Sequence, residues 1–169
     1  MIRTLWHRLD MTARNLSPFA ISILLVMMAM VPVRIPEISP VLPSLALIAV
    51  FYWSIYRPDL MPVWAVFLIG IFEDLLGGGP IGIGTISLLL VHGIVRSQPR
   101  FFASASFMVM WFLFALAAAG AIATVWLLTC LYYGVAVHPR PALFQFFLTV
   151  AIYPCLAWIF AQAQRAFLR

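Results

Sequence analysis

The sequence predicts an all-α integral membrane protein with six transmembrane helices and with both termini in the cytoplasm. Three observations lead to this prediction: the apolar composition, the lengths of the charge-free intervals and the distribution of the arginines. Of the 169 residues, 65% are hydrophobic and only 9% are charged, and the mean hydropathy is +1.09. An ordinary soluble domain has about 25% charged residues. This composition therefore indicates a chain whose apolar surface faces lipid rather than water.

The charge-free intervals set the number of helices. A transmembrane helix needs about 20 apolar residues, and the interval 60–95, which only Glu73 and Asp74 interrupt, is long enough for two helices. The stretch 77–80 lies between them, where glycines permit positive φ and a proline suits the first turn of a new helix. A hairpin here gives six spans in a single transmembrane domain covering 1–169, at approximately 17–33, 40–56, 61–76, 80–95, 103–133 and 141–163.

The arginines test this hairpin independently of hydropathy. With six spans and a cytoplasmic N-terminus, the arginines on the inner side are Arg3, Arg8, Arg14, Arg57, Arg96, Arg100, Arg165 and Arg169. Only Arg34 and Arg140 then face outward, which is the positive-inside pattern. Removing the hairpin would put five of the ten inside and five outside, so the bias would disappear. The arginines are also spread along the chain rather than clustered on one face, which argues against nucleic-acid binding.

The first sixteen residues have a different pattern and predict an interfacial amphipathic segment at 1–16. Leu5, Trp6 and Leu9 fall on one face of a 3.6-residue helix, and most polar residues fall off that face. A helix of this kind lies on the surface of an anionic membrane. Because the run is short, incidental periodicity in a frayed tail is the alternative interpretation.

Glu73 and Asp74 are the two carboxylates within the predicted spans. A charge in lipid costs at least about 2.5–3.5 kcal/mol on insertion scales, and an acid at a helix C-terminus also opposes the macrodipole. The unsatisfied amides at the start of the fourth span, around 81–84, are the nearest compensation, and Arg34 and Arg140 are more distant candidates. Neighbouring helical residues point about 100° apart. Fixation of the hairpin, contact with a partner and a polar pocket are therefore all open roles for this pair.

Catalytic, metal and cofactor sites are not indicated by the remaining residues. Cys130 and Cys155 lie in apolar segments without metal-ligand spacing, and His92 has no acid at helical spacing. The serines and threonines occur without the His and Asp of a nucleophilic triad. The sequence GGGPIGIG lacks the lysine and the hydroxyl residue of a phosphate-binding loop. We therefore expect no metal, no cofactor and no enzymatic activity.

Two further patterns predict the surroundings of particular side chains. Ala115, Ala119 and Ala123 follow one another at spacing four in the fifth span, beside Ala117 and Ala121. Small residues at this spacing favour close helix packing, inside the bundle or at a dimer face. Tyr52 and Trp53 lie near the inner end of the second span, where aromatic side chains anchor membrane helices at the interface.

The central segment YWSIYRPDLMPVWAVFLIGIFEDLLGGGPIGIGTISLLL resembles the core of the MreD family of bacterial rod shape-determining proteins. The resemblance rests on Tyr52–Trp53, Arg57–Pro58, Pro62, the motif Gly70-x-x-x-Asp74, a turn of small residues, and Pro80-x-Gly82. It covers about 40 residues, and the rest of the chain agrees in hydropathy only. The residues assigned from it and from the hairpin to a partner-binding or hairpin-fixing site are Gly70, Glu73, Asp74, Gly77, Pro80 and Gly82.

The resemblance implies a noncatalytic, multi-pass scaffold of the bacterial inner membrane. Such a protein binds the bitopic protein MreC, lies near the actin-like MreB and the peptidoglycan synthase formed by RodA and its transpeptidase, and helps couple the cytoskeleton to cell-wall synthesis. The implied fold is similar to the substrate-binding subunits of energy-coupling-factor vitamin transporters, and that transporter class is the alternative function. Those subunits have an Ala-x-x-x-Ala surface on the first helix, whereas Ala20 and Ala29 are nine apart here.

Overall fold

A computed structural model describes residues 18–29, 42–98 and 105–167, and these residues form six α-helices and no strand. The all-α prediction is therefore confirmed over the described ranges. The interfacial segment with Leu5, Trp6 and Leu9 lies outside them, as does Arg34. The helices are α1 (Pro18–Ala29), α2 (Leu45–Tyr56), α3 (Val63–Gly77), α4 (Ile83–Ser97), α5 (Phe107–Tyr133) and α6 (Arg140–Phe167).

The helices differ in length. Two of those described, α5 and α6, are long and apolar enough on their own to cross a membrane. Helices α3 and α4 have 15 residues each, which is about 22 Å at 1.5 Å per residue, against about 30 Å for a hydrocarbon core. Six crossings therefore stay a prediction, because length alone supports two of them.

Helix α2 is the centre of the fold. Nine consecutive residues, 46–54, are buried, so this helix is enclosed on all sides by its neighbours. It packs against α3, α4 and α6. Phe51 contacts the rings of Phe114 in α5 and Tyr153 in α6, with ring centroids 5.1 and 6.0 Å away. Phe114 and Tyr153 stack on each other at 4.1 Å, so one aromatic cluster joins three helices.

Tyr52 and Trp53 are part of this core, which corrects their prediction as interfacial anchors. Their exposed fractions are 3% and 1%, and both rings contact Phe160 of α6. Tyr56, one turn further along α2, is 45% exposed. The sequence placed these aromatics by depth only, whereas their burial depends on α6 crossing this part of α2.

The small residues of α5 divide between the inside of the bundle and its outer surface. Ala118 and Ala121 are buried, together with Phe114. Ala119 and Ala123 are exposed. Small residues do pack inside the bundle, but the stripe containing Ala119 and Ala123 does not do so, because spacing alone cannot tell which face of an all-apolar helix is turned inward.

Helix α6 contains a proline whose effect is compensated by its neighbour. Pro154 lies inside the helix and has no N–H, so the carbonyl four residues earlier, that of Val150, loses its helical donor. The indole Nε1 of Trp111 in α5 donates a hydrogen bond to the Val150 carbonyl at 3.1 Å. The carbonyl freed by the proline thus holds α5 and α6 together.

Candidate functional site

The turn between α3 and α4 is built by glycines in conformations that other residues avoid. Helix α3 ends at Gly77, and Gly78 follows it in the left-handed region with φ of 66°. Gly82, directly before α4, has φ of 103°. Helix α4 begins at Ile83, so the prediction that Pro80 lies in its first turn is wrong. Pro80 belongs to the connection between the two helices, which extends from Gly78 to Gly82.

Asp74 is bonded to the start of α4. Its Oδ2 accepts hydrogen bonds from the amides of Gly82 at 2.8 Å and Thr85 at 3.1 Å, and from the Thr85 hydroxyl at 2.8 Å. Its Oδ1 accepts a further bond from the amide of Gly84 at 3.1 Å. Asp74 therefore acts as a helix cap supplied from the preceding helix, and its charge meets the positive end of the α4 dipole.

Two glycines allow this approach. A Cβ at Gly70 would lie 2.6 Å from the Cα of Thr85, which is closer than real Cβ atoms come to backbone. A Cβ at Gly84 would collide with Asp74 Oδ1. The motif Gly70-x-x-x-Asp74 thus has a direct physical meaning: the glycine brings α4 close to α3, and the acid one turn later bonds to its first amides.

Glu73 has a different environment from its neighbour. Within the described parts of the chain it accepts one hydrogen bond, from the hydroxyl of Ser44, which lies 3.4 Å from Oε1. Ser44 is the residue before α2, and its own amide donates to the Thr149 hydroxyl of α6 at 3.1 Å. Glu73 therefore faces the junction of α2, α3 and α6, rather than the inside of the hairpin.

Glu73 also lines a cavity of about 720 Å³ at this end of the bundle. All six helices contribute to its walls, which are largely apolar. The polar side chains among them include Ser44, Gln145 and Tyr133. Gln145 makes no side-chain hydrogen bond to any other described residue. The volume falls within the range of about 300–1,000 Å³ that is usual for small-molecule sites.

His92 lies toward the other end of α4. It is 2% exposed, and its Nδ1 is 2.7 Å from the Ser54 hydroxyl of α2. Over the described ranges, three buried side-chain nitrogens have no hydrogen-bond partner: Trp53 Nε1, Arg57 Nε and His92 Nε2. His92 thus links α2 and α4 through one ring nitrogen, and no carboxylate bonds to it in the part of the chain that the structure describes.

Metal ligation finds no support in the geometry. Within residues 18–29, 42–98 and 105–167, no group of three or more His, Cys, Asp or Glu side chains could hold a metal ion. Cys130 and Cys155 are free cysteines. The chemistry that the site does offer is hydrogen bonding and charge: a fully bonded carboxylate at Asp74 and a nearly unbonded one at Glu73.

Comparison with known proteins decides the family. The family model described as rod shape-determining protein MreD matches residues 11–163. The chain belongs to the MreD family. It is accordingly a rod-shape-determining membrane protein, of a family of structural rather than enzymatic proteins. Comparisons with curated proteins and with solved structures give no significant match.

The structure also adds residues that sequence reasoning did not select for the MreD site. Thr85 gives Asp74 two of its four bonds, and Gly84 makes room for the carboxylate. Ser44, directly before α2, and Gln145, on α6, line the cavity with Glu73. Thr85 and Gly84 follow Gly82 closely enough that a helix start set at residue 83 would have indicated them. Ser44 and Gln145 carry no such local signal.

Proposed function

We propose that this MreD protein is a noncatalytic scaffold that binds the bitopic protein MreC and helps couple the cytoskeleton to peptidoglycan synthesis. The family match over residues 11–163 is the observation that carries this proposal. The site geometry supports it, because the hydrogen bonds around Asp74 join α3 to α4. A carboxylate bonded in this way has a structural role rather than a catalytic one. MreB, RodA and its transpeptidase would then be neighbours in the same assembly.

The proposed topology has six spans with both termini in the cytoplasm. It is supported by the cavity, whose lining includes the end of each helix that the arginines assign to the outer side: Ala29, Ser44, Gly77, Ile83, Tyr133 and Pro141. A bond between the Tyr52 hydroxyl and Gln164 Oε1, at 3.3 Å, joins the ends of α2 and α6 that are assigned to the inner side. Labelling of single cysteines at residues 79 and 98 with an impermeant reagent tests it: only residue 79 should react from outside.

Co-purification tests the partner. The full chain, co-expressed with an MreC-like protein and solubilised in a mild detergent, should retain it through affinity and size-exclusion steps. We expect Asp74→Ala to reduce this retention more than Glu73→Ala, because loss of Asp74 opens the hairpin itself. Equal retention by both variants would contradict the role given to Asp74. A wild-type chain that ignores the partner would contradict the scaffold, as would rod-shaped cells that stay rods after the protein is depleted.

The cavity supports a second candidate, a substrate-binding subunit of a small-molecule transporter. Its volume and its few polar groups in apolar walls suit a bound ligand. Mass spectrometry of the purified protein discriminates the two functions, since a water-soluble compound that co-purifies and raises the melting temperature would favour transport. A cavity that holds only lipid would count against it.

A further inference from the structure

The cavity places a carboxylate with unused hydrogen-bonding capacity among apolar side chains. Among the residues that the structure describes, Glu73 accepts one long bond, from Ser44, whereas Asp74 beside it accepts four. A charged group without compensation is costly in apolar surroundings. Gln145 adds an unused amide oxygen to the same cavity. The Glu73 carboxylate only accepts hydrogen bonds, and the amide oxygen of Gln145 can accept beside it. A cation with several N–H donors matches this pair in both charge and hydrogen bonding.

The size of the cavity restricts what can enter. A helix with its side chains is about 10–12 Å in diameter, so one turn of about 5.4 Å occupies roughly 400–600 Å³. A space of about 720 Å³ therefore holds little more than one helical turn, and it does not suit a partner's transmembrane helix. A headgroup with the first part of its acyl chains, or a small amphiphile, fits this volume.

We propose that this cavity binds the primary ammonium group of an amphiphile, and that its source is the headgroup of phosphatidylethanolamine. The ammonium would donate hydrogen bonds to Glu73 and Gln145. Leu76 and Tyr133 line the cavity and are 43% and 57% exposed, so apolar surface continues from the cavity to the outside of the bundle, where acyl chains lie. Arg140, exposed and directly before the lining residue Pro141, provides a cation for the lipid phosphate at this end of α6.

This chemistry distinguishes phosphatidylethanolamine from the other common lipids. The quaternary ammonium of phosphatidylcholine has no N–H to donate, and the headgroup of phosphatidylglycerol has no cation for Glu73. A hydrogen bond to a charged group is worth about 1.5–3 kcal/mol, and 1.4 kcal/mol corresponds to a factor of ten in affinity. We therefore expect binding about tenfold tighter than for phosphatidylcholine with the same acyl chains.

Native mass spectrometry of the full chain in detergent measures this preference. Each lipid is titrated against the wild type, Glu73→Gln and the matched control Asp59→Asn, which removes an exposed carboxylate in the turn Pro58–Leu60, away from the cavity. The wild type and Asp59→Asn should prefer phosphatidylethanolamine about tenfold, and Glu73→Gln should bind the ethanolamine and choline lipids alike. Gln145→Leu, a second variant in case Glu73→Gln does not fold, should lose part of the preference.

The ammonium group could come from the headgroup of phosphatidylethanolamine or from a free amphiphilic amine. Dodecylamine, a soluble amine without a phosphate, distinguishes these two sources. Displacement of phosphatidylethanolamine by dodecylamine from the wild type, with phosphatidylethanolamine the tighter ligand, would support the proposal. Binding of dodecylamine without any binding of phosphatidylethanolamine would overturn the lipid as the source. Equal affinities of the wild type for the ethanolamine and choline lipids, or an undiminished preference in Glu73→Gln, would overturn the site. None of these results depends on MreC, so the scaffold is tested separately.

Discussion

Glu73 and Asp74 are neighbours in sequence and both line the cavity, but the inside of the α3–α4 hairpin and the junction with α2 and α6 bond their carboxylates differently. Asp74, in the hairpin, accepts three amides and a hydroxyl. Glu73, in the cavity wall, accepts one hydroxyl at 3.4 Å. The rotation of about 100° between neighbouring helical residues separates the two environments.

This difference shows how adjacent acids within a membrane protein can have separate roles. A carboxylate that already accepts hydrogen bonds from its own protein contributes to stability and has few free lone pairs with which to bind another molecule. A carboxylate whose lone pairs are mostly free contributes less to stability and remains able to bind. The variants below measure this division, from the largest expected loss of stability to the smallest.

Asp74→Ala should be the most destabilising of these changes. It removes all four hydrogen bonds that Asp74 accepts from the start of α4, and we expect a loss of about 3 kcal/mol in the free energy of unfolding. Denaturant titration of the purified protein, followed by far-UV circular dichroism, measures it. Asp74→Asn keeps one oxygen acceptor and should lose about half as much. A loss below that of Glu73→Ala would contradict the comparison.

Gly70→Ala should rank second, because its Cβ would meet the backbone of Thr85 at 2.6 Å. Overpacking of this kind costs about 1–3 kcal/mol. Gly93→Ala is the matched control, since Gly93 lies in α4 with nothing within 4 Å of an added Cβ. That control should be neutral or stabilising by up to about 1 kcal/mol, from helix propensity. Similar losses in both variants would show that close approach is not what Gly70 provides.

Trp111→Phe should cost about 1 kcal/mol, because it leaves the Val150 carbonyl without a donor. Here the acceptor is a backbone carbonyl instead of a carboxylate, and its hydrogen-bond donor comes from another helix. In a Pro154→Ala background, the new N–H of residue 154 can bond to Val150, so the same Trp111 change should cost less. The double-mutant cycle over the four proteins measures the coupling, and a coupling of zero would contradict the compensation described for α6.

Glu73→Gln should have the smallest effect on stability, within about 0.5 kcal/mol when no amine lipid is present. The glutamine keeps an acceptor for Ser44 and removes an uncompensated charge. Thermal unfolding in lipid-free detergent, with Asp74→Asn alongside, provides the measurement. A loss as large as that of Asp74→Asn would mean that Glu73 is also a structural carboxylate.

The position of the hairpin could be predicted from sequence, because three consecutive glycines and the arginine distribution indicate the same turn. The family could also be identified, since each of the motifs Arg57–Pro58 and Gly70-x-x-x-Asp74 lies within a few consecutive residues and can be read directly from the sequence. The sequence predicts that the amides around 81–84 compensate the acids, and those of Gly82 and Gly84 do bond to Asp74. Which of the two carboxylates they would meet, and the part played by Thr85, could not be assigned in advance. Helix α4 starts at Ile83 instead of residue 80, and a shift of three residues changes which amides are free.

The cavity could not be predicted, because its wall comes from all six helices and depends on how they pack. Ser44 and Gln145 are 101 positions apart in the chain, and nothing local in sequence relates them. The burial of Tyr52 and Trp53 was missed for the same reason, since the helix that covers them begins at Arg140. Single-sequence patterns describe each helix by itself, whereas these features belong to contacts between distant helices.

The Asp74 cap has a consequence for biosynthesis. The last of its donors, Thr85, leaves the ribosome eleven residues after Asp74 itself. Until then the hydrogen bonds of Asp74 are incomplete, so release of α3 alone from the translocon into lipid is unfavourable. The two helices should therefore partition into the bilayer together as one cotranslational unit, and a nascent chain stalled before Thr85 has cleared the exit tunnel should hold α3 at the translocon.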